Sequence, residues 1–479
     1  MTFYFYDLET SGFDARRARI MQFAGQRTDI NLKSIGKPDN LLVKITPDIL
    51  PDPDAVMIHG ITPQKTIAEG MSEAEFTKYL TSQVFSADTI AIGYNNIRFD
   101  DEFIRFTFWR NFTDAYEWAW KDGRSRWDLL DVVRMTRALQ PDGIQWPFAP
   151  DGKPSNRLEY LSTINKLDYA EAHDALSDVK ATIALARLVR STHGKLFDYL
   201  FKLRKKAAIK PIVESGKPFM YTSGRYPSEF LHTTAAVMLG RHAQQDYILV
   251  YDLRYDPEPF LEMSVDQLVE AWKWSADPDK VRLPVKTLKY NRCPAVLPGV
   301  VKDSETLERL SLSREEVSAN LAKVAKSGQK FTTKLFEAVE KMDQERDKKQ
   351  ISMIGSPLEV DCQLYDNFIS GVDKTKMSVV RAAQPDELSK LDLDFSDERL
   401  RLLLPLYKAR NYPKLLNSDE QKKWQDFCRH KLLDGGADSR STNFFKRLEE
   451  VSQRIGLTAE QNYLLEELQL YAQSVLPEV

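Results

Sequence analysis

Along the first 190 or so positions, apolar residues switch between a period of two and a period near 3.6, so strand-like and helix-like segments alternate. That alternation predicts a mixed α/β layer fold. Phe3–Leu8 reads as a first strand and Ile20–Asp29 as a second. Ser72-Glu73-Ala74-Glu75 forms a capping box that opens a helix running to about Phe85. Thr89–Tyr94 then reads as a buried strand ending at Asn95-Asn96, and Asp101–Phe112 as a helix. Over Asp174–Ser191, the residues Ala181, Ile183, Ala184, Leu185 and Leu188 make one apolar stripe, the mark of an amphipathic helix.

The pattern changes after His193-Gly194. Residues 211–300 carry short β-like runs, Tyr247–Asp252 and Val281–Tyr290 among them, broken by Pro and Gly, and predict a small barrel-like module. From about Leu307 the pattern turns helical, with Glu398–Ala409, Asp419–Leu433 and Glu460–Val475 as clear examples. A chain of 479 residues exceeds what one hydrophobic core supports, so two or three domains are expected.

Composition adds limits. With 42% hydrophobic and 29% charged residues the chain is an ordinary globular one, and its formal net charge of -3 confines any nucleic-acid surface to a local basic patch. One such patch runs from Arg187 to Lys210, where eight cations face a single acid, Asp198, with Phe197, Tyr199 and Phe201 interleaved. Two readings are open: a channel in which phosphates meet cations and bases stack on rings, or a solvated helix face whose aromatics are core. Cys293, Cys362 and Cys428 are too widely spaced for a disulfide framework or a paired-cysteine zinc site, which suits a reducing compartment. There is no signal-peptide pattern and no apolar run near the length of a bilayer span, so a cytoplasmic protein without a membrane partner is expected.

The candidate chemistry comes in three pieces. Asp7 and Glu9 end the first strand two residues apart, so both carboxylates point to one side. Such a pair either closes a solvated turn or surrounds a hard cation that offsets its repulsion. Asp100 follows the Thr89–Tyr94 strand, at the strand end where open sheets place ligands, although Asp100 or Asp101 could equally cap the next helix. His173 and Asp178 flank the start of the Asp174–Ser191 helix, where small Ala175 and Ser177 allow close approach to the sheet. Four carboxylates and an imidazole are what two-metal phosphodiester hydrolysis uses, with Mg²⁺ held by oxygen ligands and His173 receiving a proton from water.

The ordered set Asp-x-Glu-Thr, Asn-x-x-Phe-Asp and His-x-Ala-x-x-Asp resembles the proofreading-type exonucleases of the DEDD superfamily, histidine subclass. Tyr94–Glu102, Arg110-Asn111-Phe112, Ser125–Asp131, Leu196–Leu200, Cys293-Pro294 and Tyr407–Pro413 narrow the resemblance to the bacterial exonuclease I family, over essentially the whole chain. That resemblance implies a ribonuclease H-like exonuclease domain with a mixed five-stranded sheet at residues 1–193, an SH3-like domain at 194–349 and a helical C-terminal domain at 350–479. It implies two Mg²⁺ ions bound by Asp7, Glu9, Asp100 and Asp178, with His173 as base. Glu9, Arg157, Arg105, Tyr116, Trp120 and Arg134 match positions that contact the strand, and His59-Gly60-Ile61-Thr62 matches a loop near its terminal nucleotide. The implied activity is processive 3′ to 5′ hydrolysis of single-stranded DNA to 5′-mononucleotides, in DNA repair and recombination. The implied partner is the acidic C-terminal tail of single-strand DNA-binding protein, received by a monomer. An exonuclease for RNA or short oligonucleotides, and a non-catalytic single-strand-binding adaptor, are the competing expectations.

Overall fold

A computed structural model of the chain describes residues 1–167, 174–273, 277, 282–353, 359–388, 390–391 and 393–476. Strands β1 (Thr2–Thr10), β2 (Ile20–Thr28), β3 (Asp39–Leu42), β4 (Thr89–Gly93) and β5 (Ser125–Asp128) make a five-stranded sheet in the order β3-β2-β1-β4-β5. β1 is antiparallel to β2 and parallel to β4, so the sheet is mixed, as expected. A central strand covered on both faces reads as continuously apolar, which is why Phe3, Tyr4, Phe5 and Tyr6 are all buried. Gly25 lies beside Tyr4 across the β1/β2 ladder because a Cβ there would fall 2.3 Å from the Tyr4 ring.

The chain divides into two compact units. The first comprises Met1–Ser125, Ala170–Lys180 and Gly355–Val479. On one face of its sheet, Tyr4, Tyr6 and Leu8 pack with Phe23, Phe76, Leu80, Phe85 and Phe103. The capping box at Ser72 is present, its backbone N–H donating to Glu75 at 2.9 Å. The helix it opens is α-helical over Glu73–Tyr79 and then widens into a π-turn, Leu80–Val84. That extra residue in the turn keeps Leu80, Val84 and Phe85 together against the core. The helix after β4 spans Asp100–Arg110, and its Phe106 and Trp109, with Phe112 beyond it, pack with Phe395 and with Leu400, Leu403 and Tyr407 of the helix Glu398–Asn411.

Beneath that apolar layer lies a buried set of charges. The Arg410 guanidinium sits 2.7 Å from Asp361 and 2.8 Å from Asp48, Lys431 reaches Asp48 at 2.7 Å, and Arg19 reaches Asp361 at 2.8 Å. Arg110 pairs with Glu73 at 2.8 Å alongside. Burial alone would raise the two aspartates, but Arg410 with Lys431 and Arg19 outweighs it and holds both Asp48 and Asp361 well below the usual carboxylate range.

The second unit comprises Arg126–Tyr169 and Ala181–Ile354. Its strands β6 (Phe219–Thr222), β7 (Thr233–Arg241), β8 (Tyr247–Asp252), β9 (Val285–Lys289) and β10 (Ala295–Pro298) form an all-antiparallel sheet in the order β10-β6-β7-β8-β9. The run read as starting at Val281 becomes a strand only at Val285, and Val281 itself lies outside the described residues. Leu249, Tyr251, Leu268, Leu310 and Leu335 lie in its core, which is closed by the helical segment Arg314–Met353, broken at the left-handed Gly328 (φ 63°).

The helix Ala175–Lys202 breaks at His193 (φ −129°, ψ 47°), where the composition also changes. Beyond the break, Phe197 is buried and meets Trp127 edge-on at 5.0 Å, Phe201 does so at 5.1 Å, and the Tyr199 hydroxyl donates to the Val296 carbonyl at 3.1 Å. The aromatics of the basic run therefore serve packing, not base stacking.

Candidate active site

β1 divides its side chains between two environments. Tyr4, Tyr6 and Leu8 enter the apolar core, so Asp7 and Glu9 must emerge on the other face. The first turn of the helix starting at Ala175 approaches them, with Ala175 fully buried and Ser177 nearly so. A carboxylate oxygen of Asp7, one of Glu9 and one of Asp178 all lie within 4.8 Å of one another. The helix start is held by Asp174, whose carboxylate accepts from the Ser177 N–H at 3.1 Å and whose carbonyl accepts from the Asp178 N–H at 3.1 Å.

β4 delivers the fourth acid. It ends at Gly93, where a Cβ would lie 2.6 Å from the Asn96 side chain, so the chain can fold back only on a glycine. Asn95 then takes a left-handed φ of 72°, and the Asp101 N–H donates to the Asn96 carbonyl at 2.9 Å. Two adjacent acids part company at this turn. Asp101 is hydrogen-bonded by the Tyr6 hydroxyl and, at 3.3 Å, by the Asn96 amide, which makes it part of the core framework. Asp100 sits close enough to Asp7 and Glu9 to raise both. The helix cap is Phe99, without a side-chain bond, so neither aspartate serves as the N-cap.

Repulsion among these groups is large. Burial first, then Asp100, Glu9, Asp178 and Asp174, pushes the Asp7 carboxyl well above its ordinary value. Burial, then Asp178, Asp100 and Asp174, pushes Glu9 up to about 8. Asp174 thus joins the field at both positions, a contribution its place next to His173 in the motif could have signalled. A set of oxygen-only donors that resist ionisation together fits a hard divalent cation, which removes the repulsion by sitting among them. His173 lies outside the described residues.

The sign of these shifts gives a measurable consequence. Groups with raised folded-state pKa values stabilise the fold fully below their unfolded values and lose that contribution as pH rises through the folded ones. Metal-free protein should therefore lose stability between about pH 5 and about 8, and Mg²⁺ should raise its melting temperature more at pH 8 than at pH 6. Thermal melts in EDTA and in Mg²⁺ at both pH values measure this; a shift independent of pH would contradict a carboxylate site.

The candidate strand contacts fall in both units. In the first, Arg105 pairs with Glu102 at 2.6 Å and lies over the half-buried Tyr116 ring at 5.8 Å, while Trp120 is 65% exposed. His59 bonds the Thr10 carbonyl through Nε2 at 3.2 Å and accepts from the Ile61 N–H at 3.0 Å, tying its loop to the end of β1. In the second, Arg134 pairs with Asp131 at 2.8 Å and packs on the bare backbone of Gly224. Arg157 is exposed, 3.5 Å from Glu159 and over the Tyr160 ring.

Comparison with known proteins matches three families along the chain: "Exonuclease" over residues 4–186, "Exonuclease I SH3-like domain" over 204–341 and "Exonuclease I C-terminal domain" over 358–475. Exodeoxyribonuclease I of Haemophilus influenzae is 38% identical over 439 residues, 90% of this chain and 90% of the relative. The solved structure of E. coli exonuclease I in complex with a dA16 oligonucleotide is similar with a TM-score of 0.90 at 35% identity, covering 99% of this chain and 100% of that one. A structure of SSB/exonuclease I in complex with the inhibitor CFAM has a TM-score of 0.87 at 35% identity, covering 99% of each chain.

Proposed function

The chain belongs to the exonuclease I family and is a 3′ to 5′ exodeoxyribonuclease of single-stranded DNA, and we propose that it acts through two Mg²⁺ ions held by Asp7, Glu9, Asp100 and Asp178. The observation that carries this reading is the convergence of Asp7, Glu9 and Asp178 within 4.8 Å. When bound, divalent cations supply Lewis acidity to the scissile phosphate and to the entering water. Asp178 is anchored through the capped turn at Asp174, and Asp7 and Glu9 through the β1 ladder, so the donors are set before the strand arrives. Glu9 also contacts the strand, and the His59–Thr62 loop lies near its terminal nucleotide. His173 receives the proton of the entering water, a task suited to a group that titrates near neutrality. Arg105, Tyr116, Trp120, Arg134 and Arg157 hold the strand, the arginines on phosphates and the rings on bases.

Continued hold on the strand between cuts makes degradation processive and releases 5′-mononucleotides. The acidic tail of single-strand DNA-binding protein docks on the basic residues from Lys202 to Lys210 and the SH3-like domain, placing the enzyme in DNA repair and recombination in the cytoplasm, as a monomer. Among the described residues no helix is long and apolar enough to cross a membrane.

End-labelled single-stranded DNA, duplex DNA and RNA, each incubated with and without Mg²⁺, test the proposal. Stepwise shortening of the single-stranded DNA from its 3′ end, dependent on Mg²⁺ and much slower on duplex or RNA, is the expected result. Binding without metal-dependent shortening would point to an adaptor, and equal rates on RNA to a scavenger of ribonucleotide ends. A His173→Ala variant should retain part of the rate, because bound cations already acidify water.

A further inference from the structure

The second unit contains a cavity of about 600 Å³ that the catalytic reading does not use. Its floor is apolar, formed by buried Phe260 and Leu283. Its wall carries Arg225, Arg282 and Lys286, the last on β9 opposite Val250 of β8. The acids nearby are mostly neutralised: Asp252 bonds Arg254 at 3.1 Å and Asp256 bonds Lys323 at 2.8 Å, which leaves Glu229 on the same wall. Arg225 donates to the Thr287 carbonyl at 3.3 Å and to its hydroxyl, which fixes the guanidinium beside β9. Among the described residues neither Arg282 nor Lys286 has an ion-pair partner.

Three cations sharing one wall repel each other. Burial, then Arg282 and Arg225, lowers the pKa of Lys286, and the weaker pull of Asp252 does not offset them. Tyr226 adds a second, independent sign. It is 3% exposed and lines the cavity, yet its hydroxyl has no hydrogen-bond partner among the described residues. A buried phenol of that kind is destabilising unless a ligand or water completes it. Tyr255, 42% exposed, presents an aromatic face to the same space.

We propose that this cavity is a second site for a nucleotide unit, in which Arg225, Arg282 and Lys286 take the phosphate and Tyr255 stacks on the base. Cations for phosphate beside an exposed ring for a base is how single strands are held without sequence preference. The volume is that of a small-ligand pocket. The nucleotide comes from one of two sources with the same chemistry, a segment of the bound strand or a released 5′-mononucleotide. None of these residues belongs to the carboxylate cluster, so the site stands or falls separately from the catalytic proposal.

The test is equilibrium binding in EDTA, where nothing is hydrolysed, with fluorescein-labelled oligothymidylate and with thymidine 5′-monophosphate as the two ligands. The variants are Arg282→Glu, Lys286→Gln, Tyr255→Ala and Tyr255→Phe. If the strand is the source, oligothymidylate affinity falls roughly tenfold in Tyr255→Ala but not in Tyr255→Phe. Its log–log salt dependence then flattens by about 0.7 in Lys286→Gln, which takes one cation away from the phosphate. If the mononucleotide is the source, its binding weakens in the same variants while strand affinity holds. Unchanged binding of both ligands in Arg282→Glu, an exposed position that leaves the fold intact, overturns the proposal. So does capture of an acidic peptide, but of neither nucleotide, by the same wall. Hydrolysis by the unmodified enzyme in Mg²⁺ judges the catalytic reading independently.

Discussion

Asp178→Ala should reduce Mg²⁺-dependent shortening of single-stranded DNA by roughly a thousandfold or more, equivalent to about 4 kcal/mol of transition-state stabilisation. The side chain lies within 4.8 Å of the Asp7 and Glu9 carboxylates. No neighbouring donor replaces it, since Asp174 is engaged with the Ser177 N–H. The same substitution removes a major electrostatic cause of the raised Glu9 pKa, second only to burial. Without metal at pH 8 the variant should therefore melt no lower than the parent, and the stabilisation by Mg²⁺ should largely vanish. Loss of activity without loss of stability is the pattern of a site that carries strain for function. A rate assay and paired melts measure it; retained degradation, or inactivity caused by unfolding, would refute the role given to Asp178.

Asp361→Ala should destabilise the first unit by about 3–5 kcal/mol, because it leaves Arg410 and Arg19 charged, buried and short of a partner. The exposed pair Arg17–Asp14 provides the contrast: its side chains are 47% and 49% accessible, and Asp14→Ala should cost under about 1 kcal/mol. Chemical denaturation of the two variants compares them directly, and similar losses would mean that the buried set contributes little. The pH dependence has the opposite sign to that of the catalytic cluster. Asp48 and Asp361 have depressed folded-state pKa values, so their contribution is complete above about pH 4 and drains away in stronger acid. The two effects occupy different windows, and one pH series of melts resolves them. Of these two sets of acids, the Asp7–Glu9 cluster changes protonation above about pH 5, and Asp48 with Asp361 does so below about pH 4.

Much of the local structure was legible in the chain. β1, β2 and β4 fall within a residue or two of their apolar runs, and the Ser72 cap starts its helix where the Ser-x-x-Glu spacing places it. These features depend on side-chain alternation or on bonds across three residues, information contained in a short window. The candidate site was legible for a related reason: Asp7, Glu9, Asp100 and Asp178 all stand at element ends, and element ends are what periodicity and turn residues mark. The π-turn after Tyr79 and the end of the following helix at Arg110 were not readable, since packing against the core sets them.

Other assignments required the folded chain. Asp100 and Asp101 are chemically identical neighbours, and only the position of Tyr6 and Asn96 makes one a core acceptor and leaves the other beside Asp7 and Glu9. The aromatics between Arg187 and Lys210 fit two roles in sequence, and Trp127 packed against them decides for one. Asp48 and Asp361 look like ordinary surface acids along the chain, because nothing local joins positions separated by most of its length. By itself, then, the order of residues determined the elements, the carboxylates at their ends and the family. Tertiary structure alone decided which charges are buried and what each one meets, because burial and pairing depend on contacts between distant segments that no local pattern records.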